Sequence, residues 1–288
     1  MPSSCAGNFL SGRTAVIAGG GTLPVTVARV LEERGQEPFL VLLRGEADSP
    51  ALYGYEHCEL SIVELAKLFK ILKAAEICNV ILAGGVKIRP NLLQLRLDWV
   101  TFLALPKLFK VLGSGDDALL KAFIRVVEAR GFRVIGAHEI VPDLLAPADF
   151  DLTLRRATRK QKAEILLATK AAKLLGQLDI GQAVVAVGGR VVAVEGAEGT
   201  DNMLRRIYEM RERKQIPSKG GVLVKCAKPQ QDNRVDLPSI GPMTVINVAK
   251  SGLVGIAVEA NRSLILSARE TVEKADELSL FIEIIREI

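Results

Sequence analysis

The chain is poor in the residues that mark several function classes. Its four cysteines, Cys5, Cys58, Cys78 and Cys226, lie far apart. They fit neither a disulfide framework nor a paired zinc site, and read as free thiols of a reducing cytoplasm. Aromatic residues make up only 5% of the sequence and the formal net charge is +5 over 288 residues. No lysine or arginine run alternates with aromatics, which disfavours nucleic acid as a partner. His138-Glu139 fails as a zinc helix, because Pro142 stands where H-E-x-x-H carries its second histidine. The N-terminus lacks both a basic n-region and a sufficient apolar h-region, so residues 1–12 read as a disordered lead-in. The run Leu92–Leu112 is as long as a spanning helix, yet Arg96, Asp98, Pro106 and two lysines interrupt it. It reads as a buried helical element or as an apolar wall for a lipid chain.

What remains is an ordinary globular composition, 49% hydrophobic and 25% charged, long enough for two cores. The first half alternates strands and helices. Arg13–Ala18 is a β-branched run, Gly19–Pro24 a tight turn, and Val25–Arg34 carries helical periodicity. Strands at Phe39–Leu43, Asn79–Ala83 and Phe132–Ile135 follow, with helices at Ile62–Ala75 and Asp116–Arg130. Such alternation predicts a parallel sheet. We therefore read an α/β protein with a Rossmann-like N-terminal domain over 13–140 and a second α/β domain over 141–288. The division falls where prolines interrupt the pattern near Val141.

Ligands of parallel sheets bind beyond the carboxyl ends of the strands. Those ends carry Gly19-Gly20-Gly21, Gly84-Gly85 and Gly136. The first turn departs from the dinucleotide fingerprint: Pro24 replaces its third glycine, and the second strand ends in Arg44 where an acidic ribose ligand belongs. NAD is disfavoured. Arg44 keeps NADP open, since an arginine there can meet a 2′-phosphate. The bland alternative is a turn that merely joins strand to helix.

The second half contains a helix over Lys160–Leu175 closed by Gly176, and a hairpin of Ala183–Val187 and Arg190–Val194 turned by Gly188-Gly189. An acidic turn, Glu195 to Asp201, precedes a helix near Asn202. Thr200 or Asp201 can cap that helix, leaving the glutamates solvated. Helices at Met243–Lys250 and Ala268–Ala275 alternate with strands at Gly255–Val258, Ser263–Leu266 and Ser279–Ile284. The most informative segment is 225–241, which collects Lys225, Lys228, Arg234, Asp232, Asp236 and two glutamines between apolar runs. The cations can neutralise phosphoryl oxygens, and Asp236 can hold a metal ion or take a proton from water.

Seven segments in order, Ile17-Ala-Gly-Gly-Gly-Thr-Leu-Pro24, Gly115-Asp-Asp-Ala-Leu-Leu120, Gly136-Ala-His-Glu139, Leu178-Asp-Ile-Gly-Gln182, Glu198-Gly-Thr-Asp201, Lys228-Pro229 and Arg234-Val-Asp-Leu-Pro-Ser-Ile-Gly241, resemble the UDP-2,3-diacylglucosamine pyrophosphatase family of lipid A biosynthesis. The likeness is to its alphaproteobacterial type, which is distinct from the calcineurin-like enzymes. It spans nearly all of the chain after the first dozen residues. It implies hydrolysis of UDP-2,3-diacylglucosamine at the α-phosphorus to UMP and 2,3-diacylglucosamine 1-phosphate, with a divalent cation, usually Mg2+.

By the same resemblance the catalytic aspartate is Asp236, and the lipid substrate lies in an active site between the two domains. Glu198 and Asp201 are then candidate metal partners of Asp236, with Glu195 beside them. Lys225, Lys228 and Arg234 would hold phosphate oxygens, and Gly19, Gly20 and Gly21 would offer backbone donors. The chain departs from the family pattern at Gly85-Val-Lys-Ile-Arg89-Pro90, where Arg89 survives as an anion contact. The implied setting is cytoplasmic, with peripheral contact at the inner membrane, and a homodimer is compatible with it. An NADP-binding oxidoreductase and a non-catalytic nucleotide or lipid carrier are the alternative readings.

Overall fold

The computed structural model describes residues 12–86, 116–148 and 152–286, in two units that part between Val141 and Pro142. Arg89 and the apolar run 92–112 lie outside the described residues, as does most of the N-terminal lead-in.

In the first unit the elements run β1 (Arg13–Ala18), α1 (Leu23–Glu33), β2 (Phe39–Leu43), β3 (His57–Leu60), α2 (Leu65–Ala74), β4 (Ile77–Ala83), α3 (Asp116–Glu128), β5 (Arg133–Ile135) and α4 (Ala137–Ile140). The strands lie in the order β3-β2-β1-β4-β5, and each neighbouring pair is parallel. β2 is buried along its whole length, as expected of a strand covered on both faces. Helix α1 opens with a proline in its first turn, where the missing N–H costs nothing. Its stripe Val27, Ala28 and Leu31 packs on Val16, Ala18, Leu40 and Leu42. The strand order reverses between β1 and β4, the arrangement of a Rossmann-like sheet with its switch point at those two strand ends. Strand β3 was not anticipated, because His-Cys-Glu-Leu alternates no apolar face: His57 and Glu59 are exposed and only Leu60 is buried.

The second unit contains α5 (Arg159–Gln177), β6 (Ala183–Val187), β7 (Arg190–Val194), α6 (Gly199–Glu212), β8 (Val222–Lys225), β9 (Ser239–Ile240), α7 (Pro242–Lys250), β10 (Gly255–Glu259), β11 (Leu264–Ile265), α8 (Ala268–Glu277) and β12 (Phe281–Ile285). Its main sheet is mixed, in the order β12-β10-β8-β6-β7. β8, β10 and β12 are parallel, while β6 runs antiparallel to both β8 and β7. Gly188 and Gly189, both at positive φ, make the tight hairpin turn. Successive residues of a strand face opposite sides, and here they feed two cores. Val185, Val187 and Leu223 pack with Met203, Ile207 and Val245 from α6 and α7. Val184, Ala186, Val222 and Val224 pack with Ile165, Ala168 and Ala172 of α5. Helix α5 starts with a capping box, Thr158 Oγ1 accepting the Gln161 amide and Gln161 Oε1 the Thr158 amide. It runs through Gly176 rather than stopping there.

The expectation of free thiols holds for Cys58 and Cys226 and is corrected at Cys78, which is disulfide-bonded. Among the described residues no helix is long and apolar enough to cross a membrane.

At the switch point the two glycine turns are stitched together. The Gly19 amide donates to Ala83 O at 2.8 Å, Gly20 N to Gly85 O at 2.9 Å and Gly85 N to Gly20 O at 3.0 Å. Gly84 has φ +90°, and a Cβ there would lie 2.6 Å from Gly20 O and 2.8 Å from Gly19 C. Gly84→Ala therefore combines a left-handed backbone with a clash against backbone, and should lower stability in urea denaturation by more than about 2 kcal/mol. Gly85→Ala, whose Cβ would meet nothing within 4 Å among the described residues, should stay within about 0.5 kcal/mol of the parent. Equal effects of the two changes would show that the close approach is not what holds the turns.

Candidate active site

The carboxyl ends of β8 and β10 meet the start of β6 and the end of β7 at one end of the second sheet, since Lys225 pairs with both Ala183 and Val258 and Val184 pairs with Val194. Alternation along β8 sends Lys225 to the same side as Leu223, toward α6 and α7. It is 6% exposed, and its ammonium donates to Ser239 O at 3.0 Å. Burial pushes the Lys225 pKa down, and the charges of Glu195, Asp201 and Asp236 push it back up. These carboxylates, from three separate stretches of chain, all act electrostatically on one buried cation.

Each carboxylate is tied down. Glu195 follows β7 and is 8% exposed; its Oε2 accepts the Gln182 amide at 3.1 Å and its Oε1 the Thr200 hydroxyl at 2.6 Å. The backbone at Glu195 can come this close only because Gly181 has no side chain, a Cβ there falling 2.2 Å from Glu195 O. Asp201, in the first turn of α6, accepts from Asn247 Nδ2 of α7 at 2.9 Å. The simple capping alternative is not what is seen: Thr200 turns to Glu195, and the N-cap position of α6 is Glu198, without a side-chain cap bond.

Asp236 sits in the left-handed region at φ +57°, a conformation that costs most L residues about 1–2 kcal/mol and that aspartate tolerates better than most. Gln231 holds it there. The Gln231 amide nitrogen donates to Asp236 O and, at 3.1 Å, to Asp236 Oδ2, while its Oε1 accepts the Lys228 amide at 3.0 Å. Gln231 is 7% exposed and was not singled out by sequence reasoning. The only signal for it is a pair of adjacent amides inside the charged segment.

The other expected site residues have different company. Lys228 is buried and forms an ion pair with Asp179, just past the end of α5. Arg234 makes a two-pronged contact with Asp232, Nε to Oδ1 at 3.0 Å and Nη2 to Oδ2 at 2.7 Å. Glu198 pairs with Arg206 and so is not drawn into the group around Lys225. Gly19, Gly20 and Gly21 belong to the first unit, and their amides are already engaged, the first two by β4 and its turn and the third by Asp48 Oδ1 at 2.9 Å. In this structure each of the three amides meets an acceptor of the protein itself. Arg89 lies outside the described residues. Among the described residues no group of three His, Cys, Asp or Glu side chains is arranged as a metal cage.

On the opposite side of the same sheet end, Glu259 is buried and binds Lys173 of α5, Arg262 and the Ala227 amide, and Arg262 Nη2 donates to Lys228 O at 3.2 Å. The Cys226 thiol lies in this cluster, its pKa pushed up to about 12 by burial and then by Glu259. This network fixes the base of the loop that carries Asp236.

Fold and site together define a two-unit α/β protein whose second unit gathers a buried lysine and three carboxylates at its parallel strand ends, a place suited to a phosphorylated ligand. The family models described as the LpxI N-terminal domain and the LpxI C-terminal domain match residues 13–144 and 150–283. The UDP-2,3-diacylglucosamine pyrophosphatase LpxI of Caulobacter vibrioides is 39% identical over 272 residues, covering 94% of this chain and 96% of that protein. The chain belongs to the LpxI family. Among solved structures, the precorrin-6A reductase CobK aligns with a TM-score of 0.36 at 11% identity, over 96% of this chain and 88% of that one. A biotin carboxylase domain of a single-chain bacterial carboxylase aligns at 0.26 and 14% identity, over 62% of this chain and 36% of that one.

The depressed pKa of Lys225 means that burial outweighs the attraction of its carboxylates. Between the folded pKa and the 10.5 of a free lysine, the unfolded chain binds the proton more tightly, so stability rises with pH in that window. Below the folded pKa the penalty is constant. Lys225→Met should therefore show a urea midpoint at pH 7 no lower than the parent and should lack this alkaline rise. A lower midpoint for the variant would mean that charge attraction dominates at the site.

Proposed function

We propose that this chain hydrolyses the pyrophosphate of UDP-2,3-diacylglucosamine, the reaction named for its Caulobacter relative, releasing UMP and 2,3-diacylglucosamine 1-phosphate. The observation that carries the reading is the buried ammonium of Lys225, bonded to Ser239 O and acted on by the charges of Glu195, Asp201 and Asp236, within the stretch that matches the family's C-terminal domain. Attack of water on an anionic phosphorus requires a group that takes the water's proton and positive charge near the phosphoryl oxygens. We assign the first task to Asp236 and the second to Lys225. Lys228 and Arg234, each already paired with an aspartate, shape the loop and are assigned lesser parts.

Magnesium belongs to the same proposal. The donors that act on Lys225 are hard carboxylate oxygens, and magnesium takes only one or two of these while keeping several waters. Asp236 and Asp201 are the residues that would hold it, and when bound it would neutralise charge on the phosphoryl oxygens. A diacylated substrate partitions into lipid, so we place the working protein in the cytoplasm, in peripheral contact with the inner membrane.

The NADP reading loses its support. The Asp48 carboxylate caps the Gly21 amide at 2.9 Å, where a dinucleotide would put its pyrophosphate, and Arg44 is directed to Glu64 at 3.9 Å.

Asp236→Asn should fold like the parent by circular dichroism and release UMP from UDP-2,3-diacylglucosamine roughly 10²–10⁴-fold more slowly. The parent should lose UMP release on treatment with a chelator and regain it with added magnesium. A parent-like rate for Asp236→Asn would remove Asp236 from the chemistry. Undiminished turnover in the chelator would remove the metal.

A further inference from the structure

Inside the 225–241 segment, one neutral side chain ties Lys228 to Asp236. Gln231 is 7% exposed, and both ends of its amide are used. Oε1 accepts the Lys228 amide at 3.0 Å, and the nitrogen bridges Asp236 O and Asp236 Oδ2. Its own backbone N–H donates to Lys228 O at 3.1 Å. Asp236 stands at positive φ, and a strained residue keeps such a conformation only where its surroundings impose it. Gln231 grips both the backbone and the carboxylate of Asp236.

We infer that Gln231 is the positioning residue for Asp236: it donates to one carboxylate oxygen, fixes the rotamer, and so turns the other oxygen toward the ligand. The inference rests on the reading of Asp236 as the catalytic carboxylate. The chemistry demands an amide. Only a side chain with an acceptor at one end and a donor at the other can hold the Lys228 N–H and the Asp236 oxygens together. A glutamate of the same shape keeps the first contact and replaces the second by an acceptor facing an acceptor.

A merely structural Gln231 and a positioning one predict opposite orders of damage. If the residue only fills space and holds the loop, Gln231→Glu, which keeps the shape and the Lys228 contact, is milder than Gln231→Met. If it aims Asp236, Gln231→Glu is at least as harmful as Gln231→Met, because it repels the carboxylate it should hold.

The experiment is steady-state UMP release from UDP-2,3-diacylglucosamine with magnesium, for the parent, Gln231→Met, Gln231→Glu, Asp236→Asn and Gln230→Met. The last removes a neighbouring amide bond, Gln230 Nε2 to Gly176 O at 2.7 Å, without touching Asp236. Misaiming of one group by about an ångström costs on the order of 10²-fold. We expect kcat to fall by roughly that factor in Gln231→Met and by as much or more in Gln231→Glu, with KM held within about 3-fold. Gln230→Met should keep the parent kcat. If Gln231→Met fails to fold by circular dichroism, Gln231→Glu alone decides. A Gln231→Glu variant with the parent kcat, or a loss confined to KM, overturns the positioning role while leaving Asp236 in place. An active Asp236→Asn overturns both readings together.

Discussion

A single ammonium group buried at the end of an apolar strand is the constraint around which the second unit is organised. β8 supplies three apolar residues and then Lys225, all buried, so the strand that builds the core also carries a charge into it. A buried cation survives only with compensating charge and a hydrogen-bond acceptor. Ser239 O supplies the acceptor, and Glu195, Asp201 and Asp236 supply the charge. Glu195 is buried while Asp201 and Asp236 are exposed, and each carboxylate takes a donor that holds its direction. This is why Gln182, Thr200, Asn247 and Gln231 are drawn in. The net result is a site in which every charged group is oriented before a ligand arrives.

The sheet end carries two such clusters, and strand alternation keeps them apart. Lys225 faces α6 and α7, while Cys226 and Glu259 belong with α5, Lys173 and Arg262. The chain between them, residues 226–228, is gripped from both sides: Glu259 takes the Ala227 amide, Arg262 reaches Lys228 O, and the Lys228 ammonium reaches Asp179. A loop fixed so firmly at its root can present a strained residue further along. Gly176 contributes by having no side chain, since a Cβ there would lie 3.1 Å from Pro229 Cδ and 3.2 Å from Lys228 Cα. That packing role explains why helix α5 passes through this glycine although a glycine near a helix end usually signals the stop.

Periodicity made most of the fold legible, because apolar strands and striped helices leave a signal that does not depend on partners. β3 escaped because an edge strand needs no apolar alternation when its pairing with β2 is through backbone. The site was legible as a region and not as a set of roles. Lys225, Lys228 and Arg234 are alike in sequence, and what separates them is position: Lys225 ends a strand, buried and under the charge of three carboxylates, whereas Lys228 and Arg234 find Asp179 and Asp232. Glu198 and Asp201 were likewise equivalent on paper, and a helix neighbour decided each, Arg206 for one and Asn247 for the other. Gln231 left almost no trace, because neutral amides in loops carry no spacing rule.

The glycine turn after β1 shows how one signature serves two ends. Glycines at a strand's carboxyl end permit close approach, and the sequence leaves open what approaches. Here it is another piece of the same unit: a Cβ on Gly19 would lie 2.4 Å from Gly85 O, and the Asp48 carboxylate occupies the Gly21 amide. A turn whose donors are already satisfied gains little from an incoming phosphate, which would have to displace a bonded carboxylate and meet its charge. The amides around Asp236 follow the contrary logic. There the backbone is held in a costly conformation by a side chain whose donor end points at the carboxylate, so the energy of that contact goes into aiming a group and not into closing a turn. Strain kept beside buried Lys225 in the second unit, and satisfied glycines in the first, are why we assign the chemistry to the second unit.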